Sequence, residues 1–518
     1  MKKITIFDST LRDGAQAEGI SFTVEDKIKI ARTLDALGVD YIEAGNPGSN
    51  PKDLDFFTHF ASEARLKHAK LIAFGSTRRK GIKVGEDSNV QALLEAKTDA
   101  VCIFGKSWDF HVTEIIKAEL KENLLMIEDT ISFFKERGKE VIFDGEHFFD
   151  GYKNNPEYAI KSLHAAVKGG ASALVLCDTN GGCFPSETSE IVKKVVAEFS
   201  LPIGIHTHND CEMAVANTIL AVEAGAVHVQ GTFTGFGERC GNANLSAIIP
   251  ALQIKRDYSC IFPEALKRLT ETARYISEIA NIAHNERTAF VGGSAFAHKG
   301  GMHIDGVSKA ASSFEHIDPE LVGNERKYLM SEVAGRSLLL QRIQKVSPSI
   351  TKDSPETVKI IAGLKELEQK GYQFEGAESS FVLYIHKQLG KYKPHFELVN
   401  FKIIGEQPHE KGLGTSAIVK IKVKDEIEIT AAEGNGPVNA LDSALRKALE
   451  KFYPDLANVY LTDFKVRVLD STNATGSRVR VLMESSDGKE SWTTVGVSTD
   501  IIEASWRALV DSIEYKLM

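Results

Sequence analysis

The chain lacks any excess of positive charge. Its 518 residues carry 62 Lys and Arg against 71 Asp and Glu, a net charge of -9. A protein that wraps nucleic acid concentrates basic residues on one face, so that class is set aside. A phosphate-bearing ligand still fits, because a few local cations suffice. Cysteine is also scarce. The six present, Cys102, Cys177, Cys183, Cys211, Cys240 and Cys260, include no CxxC pair. That excludes a disulfide framework and fits a reduced, cytosolic (cytoplasmic) compartment. No window approaches 18 uninterrupted apolar residues, so no membrane-spanning helix is expected. The N-terminal run MKKITIF stops at Asp8 and reads as a first strand, not a signal peptide. Also missing is a GxGxxG turn after that strand, the mark of an open dinucleotide-binding sheet.

What is present is regular. With 43% hydrophobic residues, the chain can bury a large core, and its length suits two to four domains. Short β-rich runs recur through the first half: ITIF (4–7), YIEAG (41–45), LIAFG (71–75), VCIFG (101–105), VIFDG (141–145), ALVLCD (173–178), PIGIHTH (202–208) and VHVQGTF (227–233). Their start-to-start spacing is roughly 32 residues, enough for a strand, a helix and two loops. Between them lie helical patterns. In TVEDKIKIARTLDALG, Val24, Ile28, Ala31, Leu34 and Leu37 recur at helical spacing. Thr23 with Asp26 predicts a capping box, and Gly38 a stop. Eight such βα units predict a (β/α)8 TIM barrel over residues 1–275, with an open doubly wound sheet as the alternative.

Residues 276–394 read as a helical connector. It holds one polar, Gly-rich loop, FAHKGGMHIDGVSK, and a helix in SPETVKIIAGLKELEQKGYQF that starts near Pro355 and ends at Gly371. Residues 395–518 change character. Three alternating strands and a helix occur twice, ending in GPVNALDSALRKALEKFY and in IIEASWRALVDSIEYKL. This internal duplication predicts a separate α+β domain with pseudo-two-fold symmetry.

In a parallel barrel, functional side chains sit where strands end. There the sequence places Asp8, Arg12 and Asp13 after strand 1, and Asp144, Glu146 and His147 after strand 5. Asp178 and Thr179 end strand 6; His206, His208, Asn209 and Asp210 end strand 7; Glu238, Arg239 and Asn242 follow strand 8. In His206-Thr207-His208 the histidines are two apart, so on a strand both point the same way. They are ready metal ligands, although an isolated HxH is also consistent with a hydrogen-bonded pair. Asp13 would complete a two-nitrogen, one-oxygen site, suited to Mn²⁺, Zn²⁺, Fe²⁺ or Mg²⁺ with positions open for a bidentate substrate. Arg12 beside it reads as a fixed cation for a carboxylate or a developing oxyanion, or as a counter-charge to the acidic residues. Cys240 reads as a packing residue. Arg78, Arg79 and Lys80 read either as contacts for phosphates or a carboxylate, or as a solvated basic turn. Glu238 and Arg239 are expected to pair with each other.

The motifs DSTLRDGAQ (8–16), HTHND (206–210) and GFGERCGNANL (235–245) resemble those of the metal-dependent acyl-CoA condensing enzymes and lyases. That family includes 2-isopropylmalate, homocitrate and citramalate synthases and hydroxymethylglutaryl-CoA lyase. FAHKGGMHIDGVSK is similar to the connector loop of the synthases. EGNGPVNA and DSTNATGSRVRV are similar to the regulatory domain of 2-isopropylmalate synthase, which the lyases lack. YIEAGNPGSNPKD, AFGSTRRKG and GYQFEGAESSF resemble the citramalate-forming branch. The resemblance implies an acyltransferase that condenses acetyl-CoA with pyruvate and water, with isoleucine as an effector of the C-terminal domain. It also implies a divalent metal ion (Mn²⁺, Mg²⁺ or Zn²⁺) on Asp13, His206, His208 and Asn242, with Arg12, Gln16 and Thr179 binding substrate. Arg12, Glu146 and His303 are implied as catalytic, His303 as the general base. In the family the His303 loop reaches over the partner's barrel, which implies a homodimer.

One departure stands out. Family synthases carry a tyrosine shortly after the GxHxDG loop. Phe314 stands nearest that position here, and His316 and Tyr328 are candidates for its role. Two other readings are weighed: a sibling synthase acting on a larger 2-oxo acid, and a non-catalytic effector-binding protein on the same fold. Phe74, Phe104 and Asp144 are candidates to line the pocket whose size separates the siblings.

Overall fold

A computed structural model describes residues 2–63, 66–329 and, within 340–518, all but 341–342, 345, 349, 352–353, 375, 406–413, 470–475 and 489. The first six residues of DSTNATGSRVRV therefore lie outside the described residues. The chain divides into two compact units, Met1–Ala297 with Ile317–Arg326, and His298–His316 with Lys327–Met518.

In the first unit eight strands close into a parallel barrel: β1 (Thr5–Asp8), β2 (Tyr41–Glu43), β3 (Lys70–Ser76), β4 (Ala100–Lys106), β5 (Glu140–Glu146), β6 (Ala173–Asp178), β7 (Ile203–Thr207) and β8 (His228–Gly231). They follow one another in chain order, and β8 pairs with β1 to shut the ring. All eight expected runs form barrel strands. A closed barrel buries both strand faces, and the sequence meets that demand: every residue of β6 and β7 is buried. Phe7, Ile72, Cys102, Ile142 and Val175 fill the interior. The outward side chains join the helices in a second, larger core.

Local signals set the helix ends. Thr23 and Asp26 form the reciprocal capping box at the start of the helix Val24–Leu37. At its end Gly38 has φ +86, and a Cβ there would lie 2.7 Å from the Phe262 ring. Only glycine suits both conditions.

The second unit carries the connector helices Gly301–Lys309, Pro355–Gln369 and Glu378–Gln388. Two three-stranded antiparallel sheets follow. The first has β9 (Glu397–Gly405), β10 (Thr415–Val423) and β11 (Glu426–Gly434); the second has β12 (Tyr460–Val468), β13 (Val479–Ser486) and β14 (Ser491–Ser498). Each is followed by a helix, Pro437–Leu449 and Ile501–Leu517. The two repeats share one core, in which Val419, Leu445, Val481 and Leu509 are buried together. Among the described residues no helix is long and apolar enough to cross a membrane.

The barrel floor generates a prediction. His228, at the start of β8, packs against Phe7 and Tyr41 with ring centroids 5.4 and 6.0 Å away. Burial holds its imidazole down to about 4, so the folded state favours the neutral ring. The unfolded chain binds that proton near pH 6.5, so this contribution is present above pH 6.5 and is lost as pH falls toward 4. His228→Phe should remove it. The stability difference between the two proteins, from urea midpoints, should change by up to about 3 kcal/mol between pH 7 and pH 4. Parallel acid limbs would show that His228 is not the group responsible.

Candidate metal centre and active site

The ends of β1 and β7 bring three residues together. One ligand atom each from Asp13, His206 and His208 lies within 4.8 Å of the others, and all three side chains are buried. His206 is the last but one residue of β7, and His208 stands just beyond the strand in a bridge with Asn242. Their Nε2 atoms face each other at 3.4 Å, and His206 Nε2 is 3.7 Å from Asp13 Oδ2. The Asn242 amide donates to Asp13 Oδ1 at 2.7 Å. Asn242 is fixed by the GFGERCGN loop: a Cβ at Gly237 would fall 2.1 Å from its Nδ2, and Gly237 has φ +156. Glycine is required there.

The electrostatics suit a cation. Burial holds the His206 imidazole down to about 4 and lowers that of His208, so both are neutral at pH 7 with lone pairs to offer. Burial works against the Asp13 charge. Arg12, the two imidazoles and the Asn242 amide outweigh it and hold the carboxyl well below the usual carboxylate range. The buried Asn242 Oδ1 has no hydrogen-bond partner among the described residues. An anion, two neutral imidazoles and an unsatisfied amide oxygen fit a divalent metal ion.

Arg12 is locked beside this group. Its Nε donates to Glu43 Oε2 at 2.6 Å and its Nη1 to Asp13 Oδ2 at 2.8 Å. The guanidinium lies 3.8 Å over the Phe74 ring, which stacks on Phe104. Ser9 Oγ donates to the same Glu43 oxygen at 2.5 Å. Burial pushes the Glu43 carboxyl up, opposed by Arg12 and Ser9. Gln16 and Arg12 line a cavity of about 220 Å³ with Asn46 and Phe74.

The other expected residues are placed as follows. Glu146 ends β5 and is ion-paired with Lys106. Thr179 follows β6, and its Oγ1 accepts from the His147 N–H at 2.9 Å. His303 belongs to the second unit, on the helix Gly301–Lys309, where its ring stacks on Phe314 with centroids 4.1 Å apart. Phe314, nearest the position of the family's tyrosine, therefore packs against His303. Tyr328 packs on Ile304.

Two expectations need correction, those for Arg78 and Cys240. Arg78 is neither a solvated turn residue nor a free cation: it is buried, with ion pairs to Glu122 and Asp129 at 2.8 Å. Arg239 does pair with Glu238, at 3.8 Å, and more closely with Asp210, at 2.8 Å. Cys240 is exposed, not packed. Two residues were missed. Glu43 anchors Arg12, and Gln230 links His206 to Asp144. The available signal was a polar residue inside a run otherwise fit for burial, YIEAG and VHVQG.

The HMGL-like family pattern matches residues 3–301. A homocitrate synthase post-HMGL domain-like pattern matches 290–372, and a LeuA allosteric (dimerisation) domain pattern matches 375–517. The (R)-citramalate synthase of Geobacter sulfurreducens is 51% identical over 518 residues, covering 100% of this chain and 98% of its own. That of Aquifex aeolicus is 53% identical over 519 residues, again covering 100% and 98%. Among solved structures, the HMG-CoA lyase of Bacillus subtilis aligns with a TM-score of 0.47 at 22% identity, over 55% of this chain and 96% of its own.

The Arg12 anchor can be tested by stability alone. Glu43→Ala removes one of the two anions that hold a buried cation, and should cost about 3–5 kcal/mol. Glu43→Gln keeps the shape and should cost less. Urea denaturation of both variants measures this, and a Glu43→Ala loss as small as that of a surface substitution would refute the anchoring role.

Proposed function

The chain belongs to the HMGL-like family, as an acyltransferase grouped with the (R)-citramalate synthases, and on that footing we propose that it condenses acetyl-CoA with pyruvate and water to give (R)-citramalate and CoA. The observation that carries this reading is the buried Asp13, His206 and His208 cluster with Arg12 fixed against it, in a chain matched end to end by such synthases.

Asp13, His206, His208 and Asn242 would hold a divalent cation, Mn²⁺, Mg²⁺ or Zn²⁺. Such an ion, when bound, supplies Lewis-acid polarisation of the 2-oxo acid carbonyl. The remaining steps fall to the chain's own residues. Arg12 spends Nε and Nη1 on its anchors, which leaves Nη2 for a substrate oxygen that gains charge. Gln16 and Thr179 bind the 2-oxo acid, and Glu146 sits beside the substrates. His303 is the base that takes a proton from the acetyl methyl group. That carbon acid is so weak that a neutral imidazole needs Arg12 to stabilise the enolate as it forms. The enolate carbon then attacks the keto carbon of pyruvate, and water cleaves the thioester to release CoA.

The C-terminal repeats serve control. We assign isoleucine as effector, acting through residues 395–518 in a homodimer. Support for self-association comes from apolar side chains left exposed on the second unit, among them Ile427, Ile429, Phe464 and Val468.

The deciding experiment is a free-CoA release assay with a panel of 2-oxo acids and added Mn²⁺. Pyruvate should be preferred, and His206→Ala should abolish both Mn²⁺ binding and activity. A clear preference for 2-oxoisovalerate would overturn the substrate assignment; unaltered Mn²⁺ binding in His206→Ala would overturn the metal site. Separately, truncation near residue 395 should remove isoleucine inhibition. Inhibition that survives the truncation would place the effector elsewhere.

A further inference from the structure

A buried amide is hydrogen-bonded to the metal cluster. Gln230, in the middle of β8, is fully buried. Its Nε2 donates to Asp144 Oδ1 at 2.9 Å, and its Oε1 lies 3.0 Å from His206 Nδ1. Three strands, β5, β8 and β7, thus carry one chain of contacts from an acid to an imidazole.

An amide can be turned by half a revolution with little change of shape, so its own structure does not decide which end faces the histidine. Asp144 decides it. An ionised Asp144 only accepts, and in that form it holds the amide nitrogen toward itself and the amide oxygen toward His206. An oxygen acceptor at 3.0 Å requires His206 Nδ1 to carry the proton. The proton is then absent from Nε2, the atom that faces Asp13 and His208. Without the amide, a histidine ring free to choose would hold its proton largely on Nε2, with the lone pair turned away from the cluster.

We propose that Gln230, oriented by Asp144, is a positioning residue that fixes the Nδ1–H tautomer of His206 and so presents the Nε2 lone pair to a divalent cation. This rests on the metal reading given above. It adds two residues that touch neither cation nor substrate, and it explains an amide buried in the middle of a barrel strand.

The test uses the full-length chain with Mn²⁺ as probe. Titration calorimetry should show Mn²⁺ binding weakened roughly 10–100-fold in Gln230→Leu. Gln230→Glu keeps an acceptor facing His206 and should bind more like the unaltered chain than Gln230→Leu does. With excess Mn²⁺, Gln230→Leu should recover much of its turnover, whereas His206→Ala should not. Selective ¹⁵N labelling of histidine gives the readout that a packing role would not move. His206 should be the Nδ1–H tautomer in the metal-free chain and should shift toward Nε2–H in Gln230→Leu. Should that variant fail to fold, the tautomer of the unaltered chain and the Gln230→Glu affinity still decide the matter. An Nε2–H tautomer in the unaltered chain, or equal affinity in Gln230→Leu, overturns the relay and leaves the metal site standing. No Mn²⁺ binding by the unaltered chain overturns the metal reading and the relay with it.

Discussion

Charge buried at the C-terminal ends of the barrel strands is the constraint around which this active centre is organised. A closed parallel barrel has no room for unpaired ions, yet Asp8, Asp13, Glu43 and Asp144 are all buried at its mouth. Their partners differ. Asp8 is tied to the Thr10 backbone and hydroxyl, and burial still pushes it to about 7. Asp144 rests on Gln230 and is likewise pushed up to about 7. Asp13 alone meets a cation, an amide and two imidazoles, and it alone is driven below the ordinary carboxylate range. The sites at which these acids differ are set by partners, not by the acid itself.

That difference separates a structural acid from a ligand. Asp8 and Asp144 sit under the site and hold neighbours in place. Asp13 keeps its charge and faces two neutral imidazoles. A site of that composition attracts a cation without first having to expel a proton from its histidines at pH 7. The barrel thus builds the centre from hydrogen bonds among its own residues, and a fixed geometry of that kind lowers the cost of assembling it.

The eight strands, the helix between Thr23 and Gly38 and the duplicated C-terminal domain were legible because each rests on local signals: β-branched runs, a capping box, a glycine stop. Asp13, His206 and His208 were legible because unusual polar residues cluster at strand ends. The partnerships were less so. Glu43 lies 31 residues from Arg12, and Gln230 lies 86 residues from Asp144; no spacing rule reports contacts made across a closed sheet. Arg78 misled for the same reason. Its neighbours in sequence are basic, but its partners Glu122 and Asp129 come from a helix more than 40 residues away.

The choice of arginine at position 12 follows from this geometry. The planar guanidinium satisfies Glu43 and Asp13 from two edges of one fork while its face lies on Phe74. A lysine has a single compact head. It could meet one carboxylate from that place, but not two at fixed angles, and its ammonium would need more water than the buried mouth admits. The fork also holds its charge at a constant angle to the cluster, because three contacts leave the group no freedom to turn. Orientation, rather than charge alone, is what the neighbours of Arg12 supply. The same logic runs through Gln230 on the opposite side, where an amide holds an imidazole at a fixed pose. In both places, a residue proposed to meet a ligand is held by a second residue behind it.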